Sequence, residues 1–447
     1  MSHAAVACWL ARDARATLGA LDLSSDALNV LAARRMRALL VDAQRSPFHA
    51  ARMREAGLAR PDALRDADFP LALQSLSPVT KHDLREAGDA ALRDGRASAS
   101  WFSSQSSGSS GEPFRVYYDA RAWSTLKYLV KMRSRRATGV TLADRIAILD
   151  AIPISAEGDA PLERAGRLRR ISVFRSPEAI ATLLADYRPA TIYALPSALL
   201  EVARAMSSGA PRVRAKRIFT SGELLTRAAR QTLIEAFGGA LFDVYGTSET
   251  KEIAWECTTG SRHINADVVY VEILDERGAV VPAGTEGEIV VTVLVNGAMP
   301  LVRYRTGDRG ALLASRCSCG RASPLLGVVS GREADTLELP DGSTRSPYLL
   351  TMALERIPAL AQFQIVQRER DLLHVSAVAS IGGRADVSVL ERAIRDSLHE
   401  VLPRDIRIDV SVVERLVRGP REKVRVVSPM PRSSDVIPEL VVAPGAE

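Results

Sequence analysis

The stretch "TRAARQTLIEAFGGALFDVYGTSE", residues 226–249, holds a helical pattern, a glycine stop, a short apolar strand and a polar turn in immediate succession. Apolar residues three and four apart in "TRAARQTLIEAFG" give a helix with one buried face, and "ALFDVYG" gives a strand. The same unit recurs upstream. "RIAILDAI" reads as a strand, "SPEAIATLLADY" as a helix capped by Ser176, "ATIYAL" as a strand, "PSALLEVARAMSSG" as a helix and "AKRIFTSG" as a strand. Alternating strands and helices imply a parallel sheet wrapped by helices, with functional loops at the strands' C-terminal ends. The turn "YGTSE", 245–249, stands at such an end.

Outside this region the pattern changes. Residues 1–95 read as a mostly helical lead-in, with apolar residues at helical spacing in "ALNVLAARRMRALLVDA" and "SPFHAARMREAG". "YVEILDERGAVVPAGTEGEIVVTVL" alternates strand and turn signals, so a small antiparallel subdomain is expected. After "GREAD", 331–335, the order is helix 347–356, strands 361–367 and 372–378, helix 386–400 and strand 406–413. These divide the chain into an N-terminal α/β domain, 1–332, and a smaller α+β domain, 333–447, large enough to fold by itself. No internal repeat is present.

Composition sets the broad class. A chain of 447 residues, 47% hydrophobic, buries a substantial core, and no run approaches the ~20 apolar residues of a membrane span. The N-terminus lacks the basic-then-apolar order of a secretory signal, so the expected compartment is the cytoplasm. A net charge of +6 invites a nucleic-acid reading, but basic residues are interspersed with acidic ones and no basic helix appears. An anionic small substrate fits better. Nearly all the positive charge is arginine, and only six lysines occur: Lys81, Lys127, Lys131, Lys216, Lys251 and Lys423.

Three of the four cysteines fall in one region. "CTTGSRH" gives Cys257 and His263, and "RCSCG" gives Cys317 and Cys319. Two cysteines one residue apart rarely close on each other without strain, yet as thiolates they can share a cation. Three sulfurs and an imidazole make a closed tetrahedral set suited to structural Zn²⁺.

The loop "SSGSSGEP", 106–113, lies between strand-like segments rather than between domains. Its glycines let consecutive N–H groups converge and its serines offer hydroxyl donors, which suits phosphate oxygens. No Gly-Lys-Ser/Thr closes it, so it is not a Walker A loop. Farther on come "YGTSE", then "RYRTGD" at 303–308, "GREAD", and "GPREKVRVV" with Lys423. In this order the five stretches resemble the core motifs of adenylate-forming enzymes, the superfamily of acyl-coenzyme A synthetases and nonribosomal adenylation domains. "LSPVTKHDLR", "SGELLT", "GEIVVTVLVNGAMPLVRYRTGD" and "CSCGRASPLLGVVSGRE" are similar to stretches of the phenylacetate-coenzyme A ligase branch, over roughly residues 45–430.

The resemblance implies a large adenylate-forming domain followed by a mobile C-terminal α+β domain, and it implies roles. Ser106, Ser107, Gly108, Ser109, Ser110 and Gly111 would hold the β- and γ-phosphates of ATP. Glu249 would hold Mg²⁺ and Asp308 would accept both ribose hydroxyls. Ser221, Gly222, Glu223 and Tyr245 would frame the adenine, with Gly246, Thr247, Ser248 and Arg332 completing the nucleotide site. Lys423 would reach the carboxylate and α-phosphate during adenylation, a task for a compact ammonium rather than arginine's planar fork. Two departures stand out: Glu422 precedes the lysine where relatives usually have glycine, and Ala334 interrupts the acid pair after the hinge Gly-Arg, which bears on domain alternation. Loop residues Tyr128, Tyr193, Ala194 and Ile253 would line a pocket for an apolar, aryl or medium-sized acid. Similar cysteines in the phenylacetate ligase branch agree with the zinc set.

The expected activity is adenylation of a carboxylic acid followed by transfer to coenzyme A. Transfer to a carrier-protein thiol, an amine or a hydroxyl, as in natural-product (secondary metabolism) pathways, is the alternative; no "GGxS" attachment site is present, so a carrier would be a separate protein. A degenerate nucleotide-binding regulator would lack the lysine or the Mg²⁺ carboxylate, and both Lys423 and Glu249 are present. Nothing in the sequence distinguishes a monomer from a homodimer.

Overall fold

A computed structural model of the chain describes residues 13–106, 114–152, 154–156, 163, 166–223, 225, 227–327, 337–345, 347–354, 356–379, 386–413 and 427–428. It divides into two compact units, one formed by Met1–Ser106 with Phe114–Glu333, the other containing Ala334–Glu447.

The first unit opens with helices Ser25–Ala43, Pro47–Glu55, Phe69–Gln74 and Lys81–Ala87. Ser24, Ser46 and Thr80 cap three of them through side-chain oxygens that accept otherwise unpaired N–H groups. Met36, Leu40, Met53, Phe69 and Leu73 form the core beneath them. Strands β1 (Phe102–Ser106) and β2 (Phe114–Tyr118) pair as an antiparallel ribbon. Strands β3 (Ile146–Asp150), β4 (Leu168–Ser172), β5 (Thr191–Ala194), β6 (Arg217–Ser221), β7 (Ala240–Thr247), β8 (Lys251–Glu256) and β9 (Arg262–Ile264) belong to one large sheet. A separate three-stranded antiparallel sheet is built from β10 (Val269–Leu274), β11 (Gly287–Val293) and β12 (Tyr304–Gly310), the expected small subdomain. Two short strands, β13 (Leu312–Leu313) and β14 (Leu325–Leu326), return to the large sheet, whose order is β13-β14-β9-β8-β7-β6-β5-β3-β4.

Why this sheet forms is visible in its middle. β5, "TIYA", is buried at every position, as a parallel strand covered on both faces must be. The connecting helices start where expected: Pro177–Tyr187 is capped by Ser176, whose Oγ accepts from Ala179 N at 3.2 Å, and Pro196–Ser207 begins with proline in its first turn.

The expectation of a parallel sheet holds only for β4, β3, β5, β6 and β7. From β7 onward the sheet is antiparallel. The reversal occurs within "YGTSETK". A Cβ at Gly246 would sit 2.1 Å from the Lys251 carbonyl oxygen, so only glycine lets the two strands approach there, and the register shifts at that residue. Lys251 takes φ of 63°, an uncommon left-handed conformation for a non-glycine residue. The turn leaves Ser248, Glu249 and Thr250 at the point where the sheet changes sense.

One buried ion cluster ties the layers together. Arg133, 2% exposed, reaches both Asp267 oxygens, and Arg35 donates to the same carboxylate at 2.8 Å. Pairing of this kind is what makes a buried carboxylate tolerable.

The second unit is α+β. Its four-stranded sheet runs β19 (Arg407–Val412), β18 (Leu372–Ala379), β17 (Leu360–Glu369), β20 (Val427–Ser428), beside a small hairpin of β15 (Leu337–Glu338) and β16 (Thr344–Arg345). Helices Pro347–Leu354 and Val387–Leu398 contribute Leu350, Leu354, Ile394 and Leu398 to a core with Ile365 and Val375. Asp386 caps the second helix.

Candidate active site

Residues from four separate sequence stretches meet beyond the C-terminal end of β7. The Tyr245 hydroxyl donates to Asp308 Oδ2 at 2.9 Å and lies 3.5 Å from Thr306 Oγ1. Thr306 is itself held: its hydroxyl donates to the Ile289 carbonyl at 2.9 Å and accepts from Asp308 N at 3.1 Å. Burial, and then the Asp308 carboxylate, push the Tyr245 phenol well above its ordinary range, so it remains a neutral donor. An acceptor-only carboxylate at the rim of β12 is therefore fixed in place.

Glu249 is 7% exposed. Its Oε1 accepts from the Tyr304 hydroxyl at 3.3 Å and lies 3.6 Å from Lys81 Nζ, while its backbone carbonyl accepts from the Tyr118 hydroxyl at 2.7 Å. Among the described residues no donor reaches Oε2, so one oxygen of a buried carboxylate remains for a hard cation, which suits Mg²⁺. Lys81 arrives here because Val79 pairs across to the "RYRTGD" strand: Val79 N donates to the Arg303 carbonyl and Arg305 N to the Val79 carbonyl, each at 2.8 Å. Neither Lys81 nor Tyr304 nor Tyr118 was singled out from the sequence as a site residue. Long-range pairing of a single residue leaves no local pattern to read.

Lys251 donates to Ser104 Oγ at 2.8 Å and to the Ser248 carbonyl at 2.7 Å, tying the turn to β1 just ahead of the serine-glycine loop. Burial, and then the neighbouring Lys127 and Lys131, hold its ammonium down at about 7. Ser107, Gly108, Ser109, Ser110 and Gly111 lie outside the described residues, as do Arg332 and Lys423. Ser106 ends β1. Ser221 ends β6, and Gly222 follows at φ of 88°. Glu223 accepts from Ser197 N and Ser197 Oγ, both at 2.9 Å, so its carboxylate pins this loop to the start of helix Pro196–Ser207. Gly246 and Thr247 close β7, and Thr247 Oγ1 accepts from Thr250 N at 3.1 Å, tightening the turn around Ser248.

The expected acyl-pocket residues do not share one environment. Tyr128 is 41% exposed, whereas Ile253 is fully buried in the core around Tyr118 and Trp123. Tyr193 and Ala194 end β5; Tyr193 stacks on Phe219 and donates to Glu252 Oε1 at 2.8 Å.

A second cluster sits at the antiparallel side of the sheet. Cys257 follows β8, His263 lies in β9, and Cys317 and Cys319 precede β14, which pairs with β9. Their ligand atoms all lie within 4.8 Å of one another. Cys257 Sγ and Cys317 Sγ are 3.6 Å apart and Cys319 Sγ is 3.2 Å from His263 Nε2. Two thiolates on one tetrahedral zinc, each at about 2.3 Å, stand roughly 3.8 Å apart, so the residues fit the ion. Ser323 Oγ, 2.9 Å from His263 Nδ1, orients the ring so that Nε2 faces the sulfurs. Burial pushes the Cys317 thiol up, but hydrogen bonds from Ser261, Thr259 and Cys319 outweigh it and hold the group at about 5. A thiol so placed is ready to be a thiolate ligand.

Comparison with known proteins gives this arrangement its context. Residues 106–293 match the family model "AMP-binding enzyme". The chain is 30% identical over 280 residues to a phenylacetate-coenzyme A ligase of Aromatoleum evansii, covering 60% of this chain and 62% of the relative. It is 32% identical over 248 residues to that of Pseudomonas putida, covering 52% and 54%.

Over this matched region the chain resembles AMP-binding enzymes and phenylacetate-coenzyme A ligases.

The matched region spans about half to three fifths of the length of these curated relatives. The fold match is wider. A 2-hydroxyisobutyryl-CoA ligase structure, crystallised with 2-HIB-AMP and CoA in its thioesterification state, superposes with TM-score 0.62 at 20% identity over 89% of each chain. An open conformation of that enzyme gives 0.57 at 21% identity over 89% of this chain and 90% of its own. These CoA ligase structures share the fold of this chain, and Tyr245 and Glu249 lie within the matched residues 106–293, with Asp308 beyond them. Among the described residues no helix is long and apolar enough to cross a membrane.

Proposed function

We propose that the protein uses ATP and Mg²⁺ to activate a carboxylic acid as an acyl-adenylate and then transfers the acyl group to coenzyme A. A carboxylate oxygen of the acid attacks the α-phosphorus, the bond to the β-phosphate breaks, and pyrophosphate leaves. The coenzyme A thiol then adds to the acyl carbon and AMP departs. The observation that carries this reading is the convergence at the end of β7: Asp308 held by Tyr245 at 2.9 Å, and Glu249 with one oxygen that no donor reaches among the described residues.

In this reading Asp308 accepts the ribose hydroxyls, Ser221, Gly222 and Tyr245 frame the base, and Glu223 keeps their loop in place. Glu249 holds the metal ion that neutralises phosphate charge when bound. Lys81 and Tyr304 hold the Glu249 carboxylate in place. The segment 106–111 supplies N–H and hydroxyl donors to the phosphates, and Lys423 supplies the cation that joins carboxylate to α-phosphate. Cys257, His263, Cys317 and Cys319 hold a structural zinc ion that fastens β8, β9 and the 317–320 turn, away from the chemistry. Acid-dependent release of pyrophosphate from ATP, measured over aryl and alkyl acids with and without coenzyme A, tests the reading. Release that is acid-dependent but unaffected by coenzyme A would point to a carrier thiol, amine or hydroxyl as acceptor.

A further inference from the structure

Three of the six lysines, Lys127, Lys131 and Lys251, gather around the rings of Trp123 and Tyr193. Lys127 Nζ lies 4.2 Å from the Trp123 ring centre and Lys251 Nζ lies 5.7 Å from the same ring. Lys131 Nζ and Arg135 Cζ stand 5.4 Å and 5.6 Å from the Tyr193 ring centre. Trp123, Lys127, Lys131 and Arg135 recur every fourth residue, the spacing that places side chains along one helix face. Like charges so spaced repel. The helix also takes a single π turn over Thr125–Leu129, a distortion found mostly at functional sites, and Lys127 is in it.

Ordinary structural use does not account for the cluster. Among the described residues the Lys127 and Lys131 ammonium groups have no hydrogen-bond or ion-pair partner; their close partners are aromatic faces. Burial, and then Lys131, hold the Lys127 ammonium below its ordinary range, with Asp150 opposing and Arg170 adding to the effect. Of the neighbouring carboxylates, Glu249 is engaged with Lys81 and Tyr304 and Glu252 with Tyr193, while Asp150 acts on Lys127 from beyond ion-pair distance. Positive groups collected on aromatic walls, with no carboxylate in ion-pair contact among the described residues, suit an anion with an apolar body.

We propose that Lys127 and Lys131, with Lys251 beside them, form a subsite for a second anionic group on the acid, so that the substrate is a dicarboxylic acid with an aromatic or apolar body. This rests on the adenylation reading above: one carboxylate is activated and the other is held by the lysines. In this reading Trp123, stacked on Phe102, and Tyr193, stacked on Phe219, border the body of the acid. Lysine suits the task, because a compact ammonium on a flexible stem meets a single carboxylate without the planar fit arginine demands.

The test compares matched acids, aryl and medium-chain, with and without a second carboxylate, in pyrophosphate release by the full chain. The wild type is expected to use diacids with kcat/KM about tenfold or more above their monoacid partners. The Lys127→Met, Lys131→Met double variant is expected to lose about tenfold on diacids while its monoacid constants stay within about threefold. Three results overturn the subsite: a wild type that prefers monoacids, a variant that loses equally on both classes, or a variant whose KM rises for ATP or coenzyme A instead, which would assign the cations to phosphate. The wild-type comparison decides even if the variant does not fold. If no acid of either class releases pyrophosphate, the adenylation reading itself fails and the subsite goes with it.

Discussion

The Tyr245 hydroxyl donates to Asp308 Oδ2 across 2.9 Å, joining the last parallel strand of the large sheet to the outer strand of the antiparallel subdomain. If Asp308 accepts the ribose hydroxyls, Asp308→Asn removes the charge and half the acceptor capacity together. ATP binding should weaken by ~1.5–3 kcal/mol, the range for hydrogen bonds to charged groups. Tyr245→Phe should cost less, ~1 kcal/mol, because it removes only the bond that orients the carboxylate. Calorimetric titration with ATP reads both. Wild-type affinity in Asp308→Asn would refute the ribose role.

Glu249 is buried with Lys81 as its nearest cation, at 3.6 Å. Glu249→Gln keeps an acceptor for Tyr304 but loses the charge, so the fold should persist and the magnesium requirement should change. Adenylation is expected to fall by roughly 10²-fold, with the Mg²⁺ concentration for half-maximal rate rising. A variant with an unaltered Mg²⁺ titration would remove Glu249 from the metal site.

Zinc is expected at about one ion per chain. Elemental analysis of protein purified without a metal-affinity tag checks it, and a metal-free result ends the idea. With zinc present, Cys319→Ser or a strong chelator should lower the thermal midpoint, yet leave ATP affinity nearly unchanged, because a closed four-ligand site holds structure rather than substrate.

His49 sets a pH dependence of stability. Its Nε2 lies 2.8 Å from the Pro300 carbonyl and its Nδ1 lies 2.8 Å from Arg52 Nη1; burial, and then Arg52, depress its pKa to about 3. The unfolded chain, with an ordinary value near ~6.5, binds the proton first. Stability from the neutral ring is therefore full above about pH 6.5 and is lost as pH falls toward 3. Between pH 7 and 5 the wild type should lose about 1–2 kcal/mol more than His49→Gln, read by urea unfolding. Parallel pH profiles for the two proteins would contradict this.

Much of this architecture was legible in the chain because it is written locally. Ser176 and Pro177 announce a helix, "TIYA" announces a buried strand, and cysteines are rare enough that Cys257, Cys317 and Cys319 invited one explanation. What escaped was set by contacts between distant segments. β4, "LRRIS", carries two arginines at the sheet's margin and shows no apolar run. The antiparallel return after β7 depends on Gly246 meeting the Lys251 carbonyl, a packing constraint with no sequence pattern. Lys81 reaches Glu249 only because Val79 bridges to Tyr304. Tyr128 and Ile253, grouped as loop residues lining one apolar pocket, lie instead in a helical turn and in β8 and fall on opposite sides of the burial scale, because neighbours, rather than residue type, decide which positions face inward.

The central claim, that this chain adenylates an acid, is tested most directly by exchange of labelled pyrophosphate into ATP. The account predicts exchange that requires both the acid and Mg²⁺. In Lys423→Ala it should fall by about 10²-fold or more, roughly 3 kcal/mol in the barrier, while ATP binding persists. Lys423→Arg should rescue poorly, since the charge is kept but the shape is wrong. Exchange that proceeds at the wild-type rate in Lys423→Ala, or that no carboxylic acid stimulates although ATP binds, would contradict it.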